Sequence, residues 1–214
     1  MKFTPQITAV LLYLIATSFG VSACSQTATE GVSPSDNTSV MHINNDDQTY
    51  CLSHIDQYSQ SAKQGAASAQ YNLGILYDTG RCVRQSHIIA FQLFQQSAVQ
   101  GYAPAQFQLG IMYDFGKGVQ QDIIKAMDWY QKAADHGIAG AQNNLGFIYA
   151  KGKGVPQDYI LAMKWYMLAV DNGFVPAMQN MQSIKQLVTP SQISDSRKLA
   201  DEWYMSNEAH IIHQ

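Results

Sequence analysis

The side chains able to carry chemistry are few in this chain and oddly placed. It holds three cysteines (Cys24, Cys51 and Cys82) and six histidines. His210 and His213 stand at i, i+3, a spacing that could ligate a metal from one helical face, but they close the chain and read as its tail. His42 falls in a polar segment, and His54, His87 and His136 fall at helix ends or turns, so all four read as surface residues. Asp78 and Asp114 stand 36 residues apart and read as solvated polar positions. The G-x-G at Gly116 and Gly118 follows a helical pattern and recurs in unit three at Gly152 and Gly154, which makes it a turn and not a phosphate loop. There is no nucleophile elbow, dinucleotide fingerprint, zinc-ligand spacing or Ser-x-x-Lys constellation. No catalytic residue, cofactor or metal is therefore expected.

Composition narrows the partner. The 214 residues carry 13 Lys and Arg against 16 Asp and Glu, a net charge of −3, and only 14% are charged. A nucleic-acid binder needs a basic footprint, and this chain has none. Its polar surface is rich in uncharged Gln and Tyr, which suits a protein or peptide partner better than phosphates.

The elements that position these residues repeat every 36 positions. Gly65, Gly101, Gly137 and Gly173 keep that interval, as do Ala69, Ala105, Ala141 and Ala177, and so does the Leu-Gly pair at 73–74, 109–110 and 145–146. Residues 101–136 align on 137–172 with 20 identities in 36, and 65–100 on 101–136 with 16, without a gap. A fixed period of this length signals a solenoid. Each unit reads as two helices. Ala105, Leu109, Met112 and Tyr113 share one helical face, and Gly116 ends that helix. Asp122 then caps a second helix whose apolar stripe is Ala126, Trp129, Tyr130 and Ala133. Asp158 and Ser86 take the cap position in the other units. Gly74, Gly110 and Gly146 lie inside first helices, where they let the paired helix approach, with Ala90, Ala126 and Ala162 expected opposite. The expected fold is all-α: a right-handed α/α superhelical solenoid of about eight helices over residues 50–206. Full units cover 65–100, 101–136 and 137–172, and the solenoid covers 50–188. Residues 189–214 form a capping helix and tail, started by Thr189-Pro190 and packed through Ile193, Leu199 and Trp203.

The run Ala105, Leu109-Gly110, Tyr113, Gly116-Lys117-Gly118-Val119, Asp122, Ala126, Trp129-Tyr130, Ala133-Ala134 and Gly137 resembles the Sel-one-like repeat family, a branch of the tetratricopeptide superfamily. Unit one departs from it: Cys82 replaces the second turn Gly, Ser86 the Asp, and Leu93-Phe94 the Trp-Tyr pair. The resemblance implies a monomeric scaffold that recognises protein or peptide, often in cell-envelope processes. It also implies an alternative, because cysteine-rich relatives have been associated with β-lactam or peptidoglycan-related hydrolysis. By analogy with tetratricopeptides, the first helix of each unit lines the concave face. Between its packing positions runs a stripe of Tyr71 and Ile75, Phe107 and Ile111, then Asn143 and Phe147, flanked by Asn72, Gln108 and Asn144. Two readings of the stripe stay open. The rings anchor an extended peptide whose backbone the amides clamp, or Tyr71, Phe107 and Phe147 pack between neighbouring first helices.

The N-terminus adds a location. Lys2 followed by the apolar run Ile7 to Phe19 reads as a signal peptide over residues 1–23. Val21-Ser22-Ala23-Cys24 resembles a bacterial lipobox, which implies lipid on Cys24. Ser25 after it implies the outer membrane, and secretion after ordinary cleavage and a retained anchor are the alternatives. Residues 24–49 read as a flexible tether. Cys51 and Cys82 would then be the two thiols of the folded domain in an oxidising compartment, both at one edge of the stack, where a disulfide or two separate thiols fit.

Overall fold

The structure, a computed structural model, describes residues 45–212. Nine α-helices and no strand occur among the described residues: α1 (Asn45–Lys63), α2 (Ala67–Thr79), α3 (His87–Ala98), α4 (Ala103–Phe115), α5 (Ile123–Asp135), α6 (Ala139–Lys151), α7 (Tyr159–Asp171), α8 (Pro176–Ile184) and α9 (Pro190–Ile212). A 3₁₀ turn, Lys185–Leu187, joins the last two. The all-α helical-repeat solenoid is thus the observed architecture, with α2–α3, α4–α5 and α6–α7 as its three full pairs. Residues 45–49, expected in the tether, are already helical, and α9 runs past residue 206. The signal-peptide, lipobox and His213 readings lie outside the described residues, and His210 falls in the last turn of α9.

Local chemistry sets the helix ends. Gly116 closes α4 at φ 68°, a left-handed conformation that only glycine adopts freely, and its N–H donates back to the Met112 carbonyl. Each second helix has a side-chain cap. The Ile89 N–H donates to Ser86 Oγ at 3.4 Å, the Lys125 N–H to Asp122 Oδ1 at 3.0 Å, and the N–H groups of Ile160 and Leu161 to Asp158 Oδ1, both at 2.9 Å. At α9 the capping is reciprocal: the Gln192 N–H donates to Thr189 Oγ1 at 3.3 Å and the Thr189 N–H to Gln192 Oε1 at 2.8 Å.

Packing within a pair rests on a ring against a glycine. A Cβ built at Gly74 would lie 2.7 Å from the Phe94 ring, and one at Gly146 would lie 2.6 Å from the Tyr166 ring; Gly110 meets Tyr130 in the same way. Carbon atoms normally rest about 3.5–4.0 Å apart. The missing side chain therefore makes room for the second-helix aromatic rather than for Ala90, Ala126 or Ala162. Phe94, Tyr130 and Tyr166 are all buried.

A second periodic device escaped the sequence reading. Gln70, Gln106 and Gln142 are buried, and each donates through Nε2 to a carbonyl of the preceding helix (Ala62, Ala98 and Ala134) at 3.3 Å. Their 36-residue spacing was the available signal. α9 packs against α7 through the buried residues Ser196, Ala200 and Trp203, with Ile193 and Leu199 only partly covered.

Candidate functional site

Two acidic positions read as solvated prove to be partnered. Asp114, at the end of α4, is 8% exposed, pairs with Lys153 Nζ from the next unit's turn, and accepts from the Tyr130 hydroxyl at 3.3 Å. Burial, and then the Asp114 charge, push the Tyr130 phenol well above its ordinary value. Asp78 meets His87 Nδ1 at 2.9 Å, so His87 is a structural partner and not merely a surface residue. The Asp114 pair ties a helix to the next unit's turn, and the Asp78 pair ties the end of α2 to the start of α3. Among the described residues, no group of three His, Cys, Asp or Glu could hold a metal ion, and no helix is long and apolar enough to cross a membrane.

The edge of the stack carries the cysteines. Cys51 and Cys82 form a disulfide with Cα atoms 5.1 Å apart. The repeat explains why these two positions meet. Gly118 abuts the backbone of His87, and Gly154 abuts Ile123. One unit earlier the same pair of positions is Cys82 and Cys51. Cys82 inherits the turn's left-handed backbone, at φ 70°, although it is not a glycine. The closest approach in the repeat is here made covalent.

The first-helix stripe divides. Tyr71 is half-buried, its ring centred 5.8 Å from Phe94 and 5.4 Å from Tyr102 at the start of the next unit. Phe107 is half-buried 6.0 Å from Tyr130 and lies over Gly140 of α6, where a Cβ would stand 2.8 Å from the ring. These two rings wedge between successive units, and Ile75 and Ile111 lean on the same clusters. In unit three the pattern changes. Asn143 takes the Phe107 position and accepts from Asn180 Nδ2 of α8 at 2.8 Å. Phe147 is left 44% exposed with Lys151 Nζ 5.9 Å from its ring centre. Phe147 and Lys151 share the wall of an open pocket of about 290 Å³ with Tyr159, Asn180, Ser183 and Leu187. At the other end, Asn72 and Ile75 line a pocket of about 170 Å³ with His54, Tyr58 and Cys82. Gln108 and Asn144 are half-buried. The sequence missed Lys151, Asn180 and Ser183, because no repeated position marks them.

Such a surface, with mixed amide and aromatic groups and no acid–base constellation, can hold a polypeptide. Comparison with known proteins agrees on the architecture. The Sel1 repeat family matches residues 67–102, 103–138 and 139–174, the same 36-residue period starting two residues later, and together just over half of the chain. A protective antigen of uropathogenic Escherichia coli strains, displaying an SLR fold, is 34% identical with a TM-score of 0.65 over 71% of this chain and 32% of its own. A Sel1 repeat protein from Oxalobacter formigenes is 28% identical with a TM-score of 0.60 over 72% of this chain and 62% of its own. The chain thus spans less than two thirds of the length of each of these two structures. No curated protein matches it. By its three tandem matches and the fold they build, the chain belongs to the Sel1 repeat family.

Proposed function

We propose that the protein is a non-catalytic, envelope-attached scaffold that binds a protein or peptide partner along its first-helix face, anchored by lipid on Cys24. The observation that carries this reading is the exposed Phe147 ring beside the open pocket of Lys151, Asn180 and Ser183, on a repeat fold typical of protein–protein contact. Successive first helices also touch one another, α4 with α6 and α6 with α8, as the inner side of a curved array requires. On this surface Phe147 is the anchor. Asn72 and Gln108 offer amides to a peptide backbone. Tyr71 and Phe107 hold the surface in place from beneath.

The test is a crosslinking capture from envelope extract with variants. Phe147→Ala and Gln108→Ala are expected to lose partner capture at unchanged melting temperature, while Phe107→Ala lowers the melting temperature. Wild-type capture by both surface variants would overturn the reading. Metabolic labelling with a palmitate analogue is expected to mark the wild type and not Cys24→Ala; equal labelling of both would remove the anchor.

A further inference from the structure

Unit one departs from the repeat where Leu93 replaces a tryptophan, and the departure leaves a hollow. Between α1, α2 and α3 lies an open pocket of about 550 Å³ lined by Ala62, Leu73, Tyr77, Ile89, Leu93 and Gln96, with Lys63 and Ser59 at its rim. The repeat supplies two later copies of this place. In the second, Trp129 packs against the cluster of Ala98 and Leu109, the counterparts of Ala62 and Leu73, with Lys132 Nζ 4.1 Å above its ring. In the third, two indoles are present. Trp165 occupies the Leu93 position, and Trp203 arrives from the separate helix α9 to lie 6.3 Å from it, edge to face. Trp203 is buried in one cluster with Ala134, Leu145 and Leu168, the counterparts of Ala62, Leu73 and Gln96. Its Nε1–H donates to Asp135, the counterpart of Lys63, at 3.3 Å.

We propose that the unit-one pocket takes a tryptophan side chain presented by a partner polypeptide, as the third unit takes Trp203 from α9. The walls suit that occupant. Ala62 and Leu73 are nearly covered while Ile89 stays 38% exposed at the mouth. The adjacent Gln70 amide is spent on Ala62 O and on Gln100, so the wall makes no polar demand that a ring would leave unmet. Ser59 and Gln96 can accept an indole N–H, and Lys63 can stand over the ring face as Lys132 does over Trp129. The site lies on a different face of α2 from Tyr71 and Ile75 and is independent of the first-helix surface.

The test follows the methyl resonances of Ala62, Leu73, Ile89 and Leu93 by NMR while the chain is titrated with the blocked tripeptides Ala-Trp-Ala and Ala-Leu-Ala. The tryptophan peptide is expected to shift these methyls saturably in the millimolar range and the leucine peptide at least tenfold more weakly. Ile89→Glu at the exposed rim is expected to weaken binding at least tenfold at an unchanged melting temperature, and Lys63→Ala, which removes the cation beside the ring, to weaken it by a smaller factor. Phe147→Ala is expected to leave the titration unchanged, which separates this site from the surface proposed above. Absent shifts, equal response to both tripeptides, or wild-type binding by the variants would overturn the assignment.

Discussion

Gly146 sits in the middle of α6, where glycine costs about 1 kcal/mol relative to alanine. Taken alone, helix propensity says that Gly146→Ala should stabilise the protein by that amount. The tertiary contact reverses the sign. A Cβ there would meet three Tyr166 ring atoms at 2.6, 2.7 and 3.1 Å, roughly 1 Å inside a normal carbon contact for the nearest two. Tyr166 is only 2% exposed, and its ring could yield only toward the open pocket it lines, leaving its packed position against the glycine. Forcing a methyl into a packed core costs about 1–3 kcal/mol, and a clash with two ring atoms at once belongs at the upper end. Against the propensity gain this leaves Gly146→Ala destabilised by about 2 kcal/mol, or a fall in melting temperature of about 4–8 °C for a chain of this size. Urea denaturation followed by circular dichroism measures the free energy. Gly146→Ala with Tyr166→Leu should lose less than the sum of the two single variants, by at least about 1 kcal/mol, because removing the ring removes the clash. A Gly146→Ala variant more stable than the wild type, or strict additivity in the double variant, would refute the ring-on-glycine account.

Other outcomes follow from the same contacts. Reducing the Cys51–Cys82 disulfide, which spans 31 residues, should cost about 3–4 kcal/mol of loop-closure stabilisation, read as a lower urea midpoint. In the reduced protein Cys82→Gly should restore part of it, because a non-glycine residue no longer sits at φ 70°. Burial pushes the Tyr166 phenol up to about 12, while in the unfolded chain a tyrosine ionises near about 10. Above pH 10 the unfolded state therefore binds fewer protons than the native state, and stability should fall between pH 10 and 12. Tyr166→Phe should flatten that decline in alkaline urea titrations. Asp158→Ala removes the acceptor for two N–H groups of α7 and should cost about 1 kcal/mol by the same assay.

The period, the helix pairs and their ends were legible in the sequence because each depends on neighbours close along the chain. A left-handed glycine closes the first helix at Gly116, an Asp or Ser caps the second, and both recur every 36 residues whatever lies across the stack. Only the tertiary structure decided which groups meet between helices. Gly146 faces Tyr166 rather than Ala162 because an aromatic ring reaches further across a helix pair than a methyl. Asp114 is buried rather than solvated because Lys153 of the next turn reaches back to it. The division of the stripe has the same origin. Phe107 is half-buried because the next first helix offers Gly140 beneath it, whereas at the following step Asn143 and Asn180 pair instead and Phe147 stays in the open. A repeated residue type fixes a position on its own helix, but its burial is set by the side chain that the neighbouring unit places against it, and that residue varies from copy to copy.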